Sequence, residues 1–233
     1  MSWSFTPDEF AHIWRETDLD RYPFPLRVLE TPGTEHEARS LRAQLEARMP
    51  LGQDADLTAC LRILAAPRTR VALIGGPHTP GDEIRALGAV IYDHAVLAVQ
   101  KPGRTPDFGG RITISIGHTA KLGARIAALL PDCPAGRHPA HSARSAAVRD
   151  ENEPRPGPAP HRIRRLLSKR HTAEGHIRIE AGLDQPTPAP TLYYTWIDVA
   201  DDGRYLLRAG EEVYITPANR RQIAEHLHKR IPR

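Results

Sequence analysis

Apolar residues along the first third of the chain recur at helical spacing. Thr6-Pro7-Asp8-Glu9 sets a capping hydroxyl, a proline at the first helical position and a glutamate three residues after the cap, together a capping box. Phe10, Ile13 and Trp14 follow at i, i+3 and i+4, which predicts an amphipathic helix. Tyr22-Pro23-Phe24-Pro25-Leu26 is then predicted to be extended, because each residue before a proline is pushed out of the helical region. The capping pattern returns at Thr34-Glu35-His36-Glu37, where Leu41, Leu45 and Met49 carry a second helix to Pro50, and Leu57, Leu61 and Leu64 mark a third that ends at Pro67.

From Thr69 the pattern becomes a series of short, β-branched segments. VALIGG, ALGAVIYD, AVLAVQ and RITISIG read as strands separated by turn residues. The link KPGRTPDFGG, from Lys101 to Gly110, is too long for a tight turn and is predicted as a protruding hairpin loop with Phe108 exposed. Leu122, Ile126 and Leu130 then form a helical stripe that ends at Pro131. Farther on, HRIRRLLSK predicts a short basic helix and GHIRIEAG a strand. LYYTWIDV joins GRYLLR through the hairpin signal Asp201-Asp202-Gly203, and EEVYIT leads to a last helix starting at Thr216-Pro217 and carrying Ile223, Leu227 and Ile231.

The two strand-to-helix endings superpose at a constant offset: Ile112 on Val213, Ile114 on Ile215, Leu122 on Ile223, Ile126 on Leu227 and Leu130 on Ile231. This predicts an internal duplication. The expected fold is α+β, a mixed, mostly antiparallel central sheet flanked by helices with an approximate internal two-fold repeat. We expect a single domain over 1–233, made of two similar halves (about 1–131 and 159–233) joined by a flexible loop, 132–158.

Composition, 40% hydrophobic and 26% charged, fits a globular protein with a real core. No apolar run approaches the roughly 20 residues of a membrane helix, and MSWSFTPDEF lacks a signal-peptide pattern, so a cytoplasmic location without membrane insertion is expected. The net charge of +4 is not evenly spread: residues 136–178 carry 10 Lys and Arg against 4 Asp and Glu, while the flanking parts are nearly balanced. The Pro-, Ala- and Arg-rich run within this middle can bury little, which is why 132–158 is expected to be flexible.

The search for chemistry returns little. Gly117-His118-Thr119-Ala120-Lys121-Leu122-Gly123 lacks the spacing and the Lys-Ser/Thr ending of a phosphate loop, and no G-x-S-x-G elbow is present. Cys133, His138 and His141 lack a fourth ligand, while His226 and His228 point away from each other on a helix, so no metal site and no cofactor are expected. Cys60 reads as a small core residue, and Trp14 and Trp196 as core aromatics. Arg162, Arg164, Arg165, Lys169 and Arg170 could neutralise phosphates, and a regulatory or nucleic-acid-associated role for the basic stretch 137–178 is the alternative reading. No DNA- or RNA-reading motif accompanies the charge, so nucleic acid is not the expected partner.

TPDEFAHIWRETDLDRYPFPLRV, DLTACLRILAAP, WIDVADDGRYLLR and EEVYITPANRRQIAEHL together resemble the EspG family of actinobacterial type VII (ESX) secretion-associated proteins. The resemblance covers nearly the whole chain outside 132–158. It implies a cytosolic secretion chaperone, not an enzyme, that holds PE-PPE heterodimers by the tip of the PPE helical bundle and keeps an apolar patch covered until export. It also implies that the partner lies against the loop joining two central strands and a surface of the C-terminal half. Carried over to this sequence, it points to Lys101, Arg104 and Phe108 and, more loosely, to the last helix. Phe108 would be an apolar anchor, with Lys101 and Arg104 as rim charges that steer the encounter.

Overall fold

The computed structural model describes residues 1–105, 107–150 and 157–232. Both predicted N-terminal capping boxes form: Thr6 and Glu9 close the start of α1 (Pro7–Trp14), and Thr34 and Glu37 that of α2 (Glu35–Arg48). Asp54 caps α3 (Ala55–Ala65) by accepting from the Leu57 N–H. The four predicted strands become β2 (Thr69–Pro77), β3 (Ile84–Ile91), β4 (His94–Pro102) and β5 (Gly109–His118), followed by α4 (Thr119–Ala127). The second half supplies α6 (Pro158–Leu167), β7 (His171–Ala181), β8 (Leu192–Val199), β9 (Gly203–Ala209), β10 (Glu212–Pro217) and α7 (Arg220–Arg230). The last helix starts later than predicted. β10 runs on through Pro217, and Asn219 with Gln222 forms the capping box.

Three further elements carry no clear sequence signal. β1 (Ser2–Phe5) pairs with β5, and β6 (His141–Arg144) pairs with β10 and leads into the short helix α5 (Ser145–Arg149). The strands form one ten-stranded sheet in the order β1-β5-β4-β3-β2-β7-β8-β9-β10-β6. Every neighbouring pair is antiparallel. The parallel pairing foreseen in a mixed sheet is reduced, among the described residues, to one isolated bridge between Ala135 and Arg204.

The order reads the same from either edge. Exchanging β2 with β7 maps β3, β4, β5 and β1 onto β8, β9, β10 and β6, and α4 onto α7. The aligned residues confirm this placement. Leu122, Ile126 and Leu130 share one core with Ile223, Leu227 and Ile231, packed on Val71, Leu73, Ile177 and Trp196. The opposite face carries two separate cores. α1 and α3 bring Phe10, Trp14, Cys60, Leu61 and Leu64 onto Leu87, Val96, Ile112 and Ile114, while α5 and α6 bring Val148, Ile163 and Leu166 onto Ile197, Tyr205, Val213 and Ile215. Helices therefore cover both faces. α4 and α7 cross on one face at Gly123, where an added Cβ would lie 2.9 Å from the Ala224 carbonyl oxygen.

The expected flexible loop, 132–158, requires correction over its first nineteen residues; residues 151–156 lie outside the described part. Residues 134–138 are held by main-chain and side-chain polar bonds that composition does not reveal. The Arg204 N–H donates to the Pro134 carbonyl (2.8 Å), and the Gly136 N–H donates to the Arg204 carbonyl (2.9 Å). The Arg137 N–H reaches Asp202 (2.8 Å), and the His138 N–H reaches the Tyr205 hydroxyl (3.0 Å). Backbone pairing orders this segment with little apolar burial, and the second half accordingly begins with β6 rather than at 159.

A buried ion pair secures the same region. Arg204 has 0% of its surface exposed, donates from Nε and Nη2 to the two oxygens of Asp198 (2.6 and 2.7 Å), and from Nη2 to the Pro131 carbonyl (2.9 Å). Its guanidinium stands 5.3 Å from the centre of the Trp196 ring. Trp14, Trp196 and Cys60 are all buried, as predicted.

Candidate partner-binding site

The link between β4 and β5 does not project freely. Gln100, almost fully buried, accepts from the Arg27 N–H (2.8 Å) and donates to the Arg27 carbonyl (2.9 Å), while the Gly109 N–H also reaches that carbonyl (2.9 Å). Arg27 returns the contact through its guanidinium to Asp107, at 3.7 Å from the carboxylate. The extended segment around Phe24 and Leu26 thus straps the hairpin down, so the predicted protruding loop is corrected to one docked on its neighbour.

Within that hairpin, Lys101 lies near the end of β4, while Arg104 and Phe108 lie in the loop, and all three are exposed. Phe108 keeps 39% of its surface in solvent. The side chains of Lys101 and Arg104 have no hydrogen-bond or ion-pair partner among the described residues. The sequence therefore placed an accessible aromatic and two accessible cations on one turn. It did not anticipate the surface beside them.

That surface is a cleft of about 410 Å³ into which the β2–β3 hairpin, the Phe24 segment and Asp107 all project. β2 and β4 run toward this end of the sheet, and their hairpins turn there. Phe24 is 46% exposed, and the Arg178 guanidinium stands 4.6 Å from its ring centre. Gly75 and Gly76 make the tight approach possible. Their φ values of 133° and 142° suit glycine, and added Cβ atoms would lie 2.3 Å from the Glu174 carbonyl oxygen and 2.5 Å from that of Asp82. His78 and Glu83 extend from the hairpin to the cleft wall, with His78 3.9 Å from Glu174.

By strand order, the hairpin that leaves a central strand is the β2–β3 turn. The carried-over hairpin joins β4 to β5, nearer an edge. The β2–β3 turn was expected from its turn residues, Pro77 to Gly81, but not its place at the site, and the Pro-flanked Phe24 was the signal for the missed aromatic.

On the C-terminal half, α7 and the β9–β10 hairpin enclose a groove of about 260 Å³ lined by Tyr194, Leu206, Tyr214, Pro217 and His226. Tyr214 is 45% exposed, and the Tyr194 and His226 rings meet edge to face at 4.7 Å. Burial, reinforced by the positive charges of Arg230, Lys229 and Arg208, pushes the His226 pKa below its usual value. The last helix, the looser sequence expectation, thus borders an apolar groove.

Among the described residues, no group of three or more His, Cys, Asp or Glu side chains could hold a metal ion, and no helix is long and apolar enough to cross a membrane. The basic stretch does not form a continuous track. Arg164 turns inward to donate to the Ala147 carbonyl (2.7 Å), and Arg178 pairs with Glu180 (3.0 Å).

A helix-flanked antiparallel platform with exposed aromatics on its hairpins and beside an apolar groove defines a class of protein equipped to hold another polypeptide. The family model described as the EspG family matches residues 6–229, and the chain belongs to that family. Among solved structures it is similar to the Mycobacterium tuberculosis type VII secretion system chaperone EspG5, determined in complex with the PE25-PPE41 dimer. That match has a TM-score of 0.65 and 17% sequence identity, and covers 99% of this chain and 95% of the other. No curated protein matches the chain in sequence.

Proposed function

We propose that the protein is a cytosolic, non-catalytic chaperone of a type VII (ESX) secretion system. It binds a PE-PPE-type heterodimer and shields the apolar tip of the PPE protein before export. The observation that carries this reading is membership of the EspG family over 6–229, together with a fold shared along the whole chain with a chaperone solved on such a dimer. The site geometry supports it. Phe24 and Phe108 are exposed, unlike most large hydrophobic side chains of the protein, and they border one end of the sheet with Lys101 and Arg104 at the rim.

In this arrangement Phe108 inserts against the apolar tip, while Lys101 and Arg104 accelerate the encounter with an acidic surface. Affinity would then rest mainly on apolar burial and tolerate moderate salt. The test is a pull-down from the native cytosol at two salt concentrations, with both protein and nucleic acid identified. We expect a small helical secreted pair that stays bound at the higher salt. Phe108→Ala should weaken its binding by roughly tenfold to thirtyfold, as for a buried aromatic anchor, without altering the unfolding midpoint. Recovery of salt-labile nucleic acid alone would overturn the proposal in favour of a role for the basic stretch 137–178.

A further inference from the structure

The docking reading leaves a second concave site unused. Between the segment 138–141 and α6 lies a cleft of about 340 Å³, lined by His138, Pro139, His141, Arg162, Arg165, Leu166 and Lys169. Its three fixed cations follow from helical geometry. Arg162, Arg165 and Lys169 stand at i, i+3 and i+7, which brings them onto one side of α6 and the turn that follows it. The two histidines arrive from the opposite wall because backbone pairing fixes their segment: the His138 N–H donates to Tyr205, and β6 holds His141 opposite Ile215.

The local charge is unbalanced. Asp202, nearly buried, is the one carboxylate within ion-pair distance of these groups among the described residues. It lies 3.5 Å from Lys169 Nζ and 3.5 Å from His138 Nε2. Burial opposes its ionisation. The Arg137 N–H, the Tyr205 hydroxyl, His138 and Lys169 outweigh that effect and hold its pKa below the usual carboxylate range, so it is already committed as an anion. The guanidinium groups of Arg162 and Arg165 have no hydrogen-bond or ion-pair partner among the described residues. Burial, then Arg162 and His138, push the His141 pKa down, a sign that positive charge crowds this wall. Two apolar residues, Pro139 and the buried Leu166, complete the lining.

We propose that this cleft is a binding site for a compact phosphoryl-bearing anion, free or as a phosphate ester. Arg162 and Arg165 supply forked donors to its oxygens, and Lys169 supplies a point charge. A planar guanidinium pair matches tetrahedral phosphoryl oxygens better than a single carboxylate would require, and the site offers positive charge beyond what Asp202 neutralises. The limited size of the cleft and the inward turn of Arg164 favour one small ligand over a nucleic-acid strand, which needs cations spaced along a groove.

The test uses the full chain, titrated with inorganic phosphate, pyrophosphate and ATP by calorimetry and by imidazole NMR. We expect saturable binding of one anion per chain, with the His138 and His141 ring signals shifting together. Arg162→Gln and Arg165→Gln should each weaken binding about tenfold or more while leaving the circular dichroism spectrum and the unfolding midpoint unchanged. Lys101→Gln should leave binding intact. ATP binding more tightly than pyrophosphate would assign the apolar lining, Pro139 and Leu166, to the ester, and equal affinities would assign the site to the phosphoryl group alone. Either result supports the proposal. Failure to saturate at millimolar anion, or equal binding by the double variant Arg162→Gln/Arg165→Gln, would overturn it. So would length-dependent binding of duplex DNA that pyrophosphate does not displace.

Discussion

Asp198→Ala isolates the buried ion pair from the rest of the fold. The substitution removes both acceptors of the 2.6 and 2.7 Å bonds and leaves the Arg204 guanidinium with 0% exposure, only the Pro131 carbonyl and the Trp196 ring remaining as polar company. A cation stranded in this way costs about 3–5 kcal/mol, since water cannot replace the lost partner without opening the core. For a chain of this size that corresponds to a fall in melting temperature of roughly 6 to 20 °C. Urea unfolding followed by circular dichroism measures the cost. Limited proteolysis supplies a second reading, because Pro131 and Pro134 are both tied to Arg204, and cleavage should move to residues 132–140 in the variant. The double variant Asp198→Leu/Arg204→Met removes both charges and should recover most of the loss. A single-variant cost below about 1 kcal/mol would refute the assignment of a desolvated, mutually dependent pair, as would a double variant no better than the single one.

Two further outcomes follow from packing and titration. Gly123→Val should destabilise by about 1–3 kcal/mol in the same urea assay, because its Cβ would meet the Ala224 carbonyl at 2.9 Å and the His228 nitrogen at 3.0 Å, forcing α4 away from α7. Burial and three nearby cations depress the His226 pKa, so the unfolded chain binds a proton before the folded one does. Stability should be full above the unfolded value, near 6.5, and decline as pH falls from there to the lower folded value. A stability–pH profile of His226→Gln should lack that decline, and an unchanged slope would assign it to other groups.

The helices and the inner strands were legible because their signals are local. Thr6 with Glu9, and Thr34 with Glu37, satisfy helix ends within four residues, and the short apolar runs of β3 and β8 reflect burial on both faces of one sheet. The repeat was legible for the same reason, since Leu122 and Ile223 face one core. β1, β6 and the ordering of 134–138 were not legible. His141–Arg144 offers no apolar alternation, and what fixes it is pairing with β10, some seventy residues away. The candidate site divided along the same line. Phe108 could be read as an exposed loop aromatic, but the cleft beside it joins segments from around residues 24, 77, 107 and 174, which no spacing rule brings together. The phosphoryl cleft was seen only as a run of positive charge, because the inward turn of Arg164 and the convergence of Arg162, Arg165 and Lys169 depend on how α6 packs.

The two outermost strands have a consequence for the protein in solution. β1 and β6 offer only four residues each to an incoming strand. Beyond them, the neighbouring strands are already occupied: the Gly109 N–H is taken by Arg27, the Ile116 N–H by Met1, and the Glu211 carbonyl, just before β10, by Ser145. An edge this short is a poor template for another sheet, because a few hydrogen bonds do not offset the cost of ordering the added chain. The sheet thus ends in four-residue strands on both sides, and its capacity for contact lies mainly with the hairpins, the helical faces and their clefts.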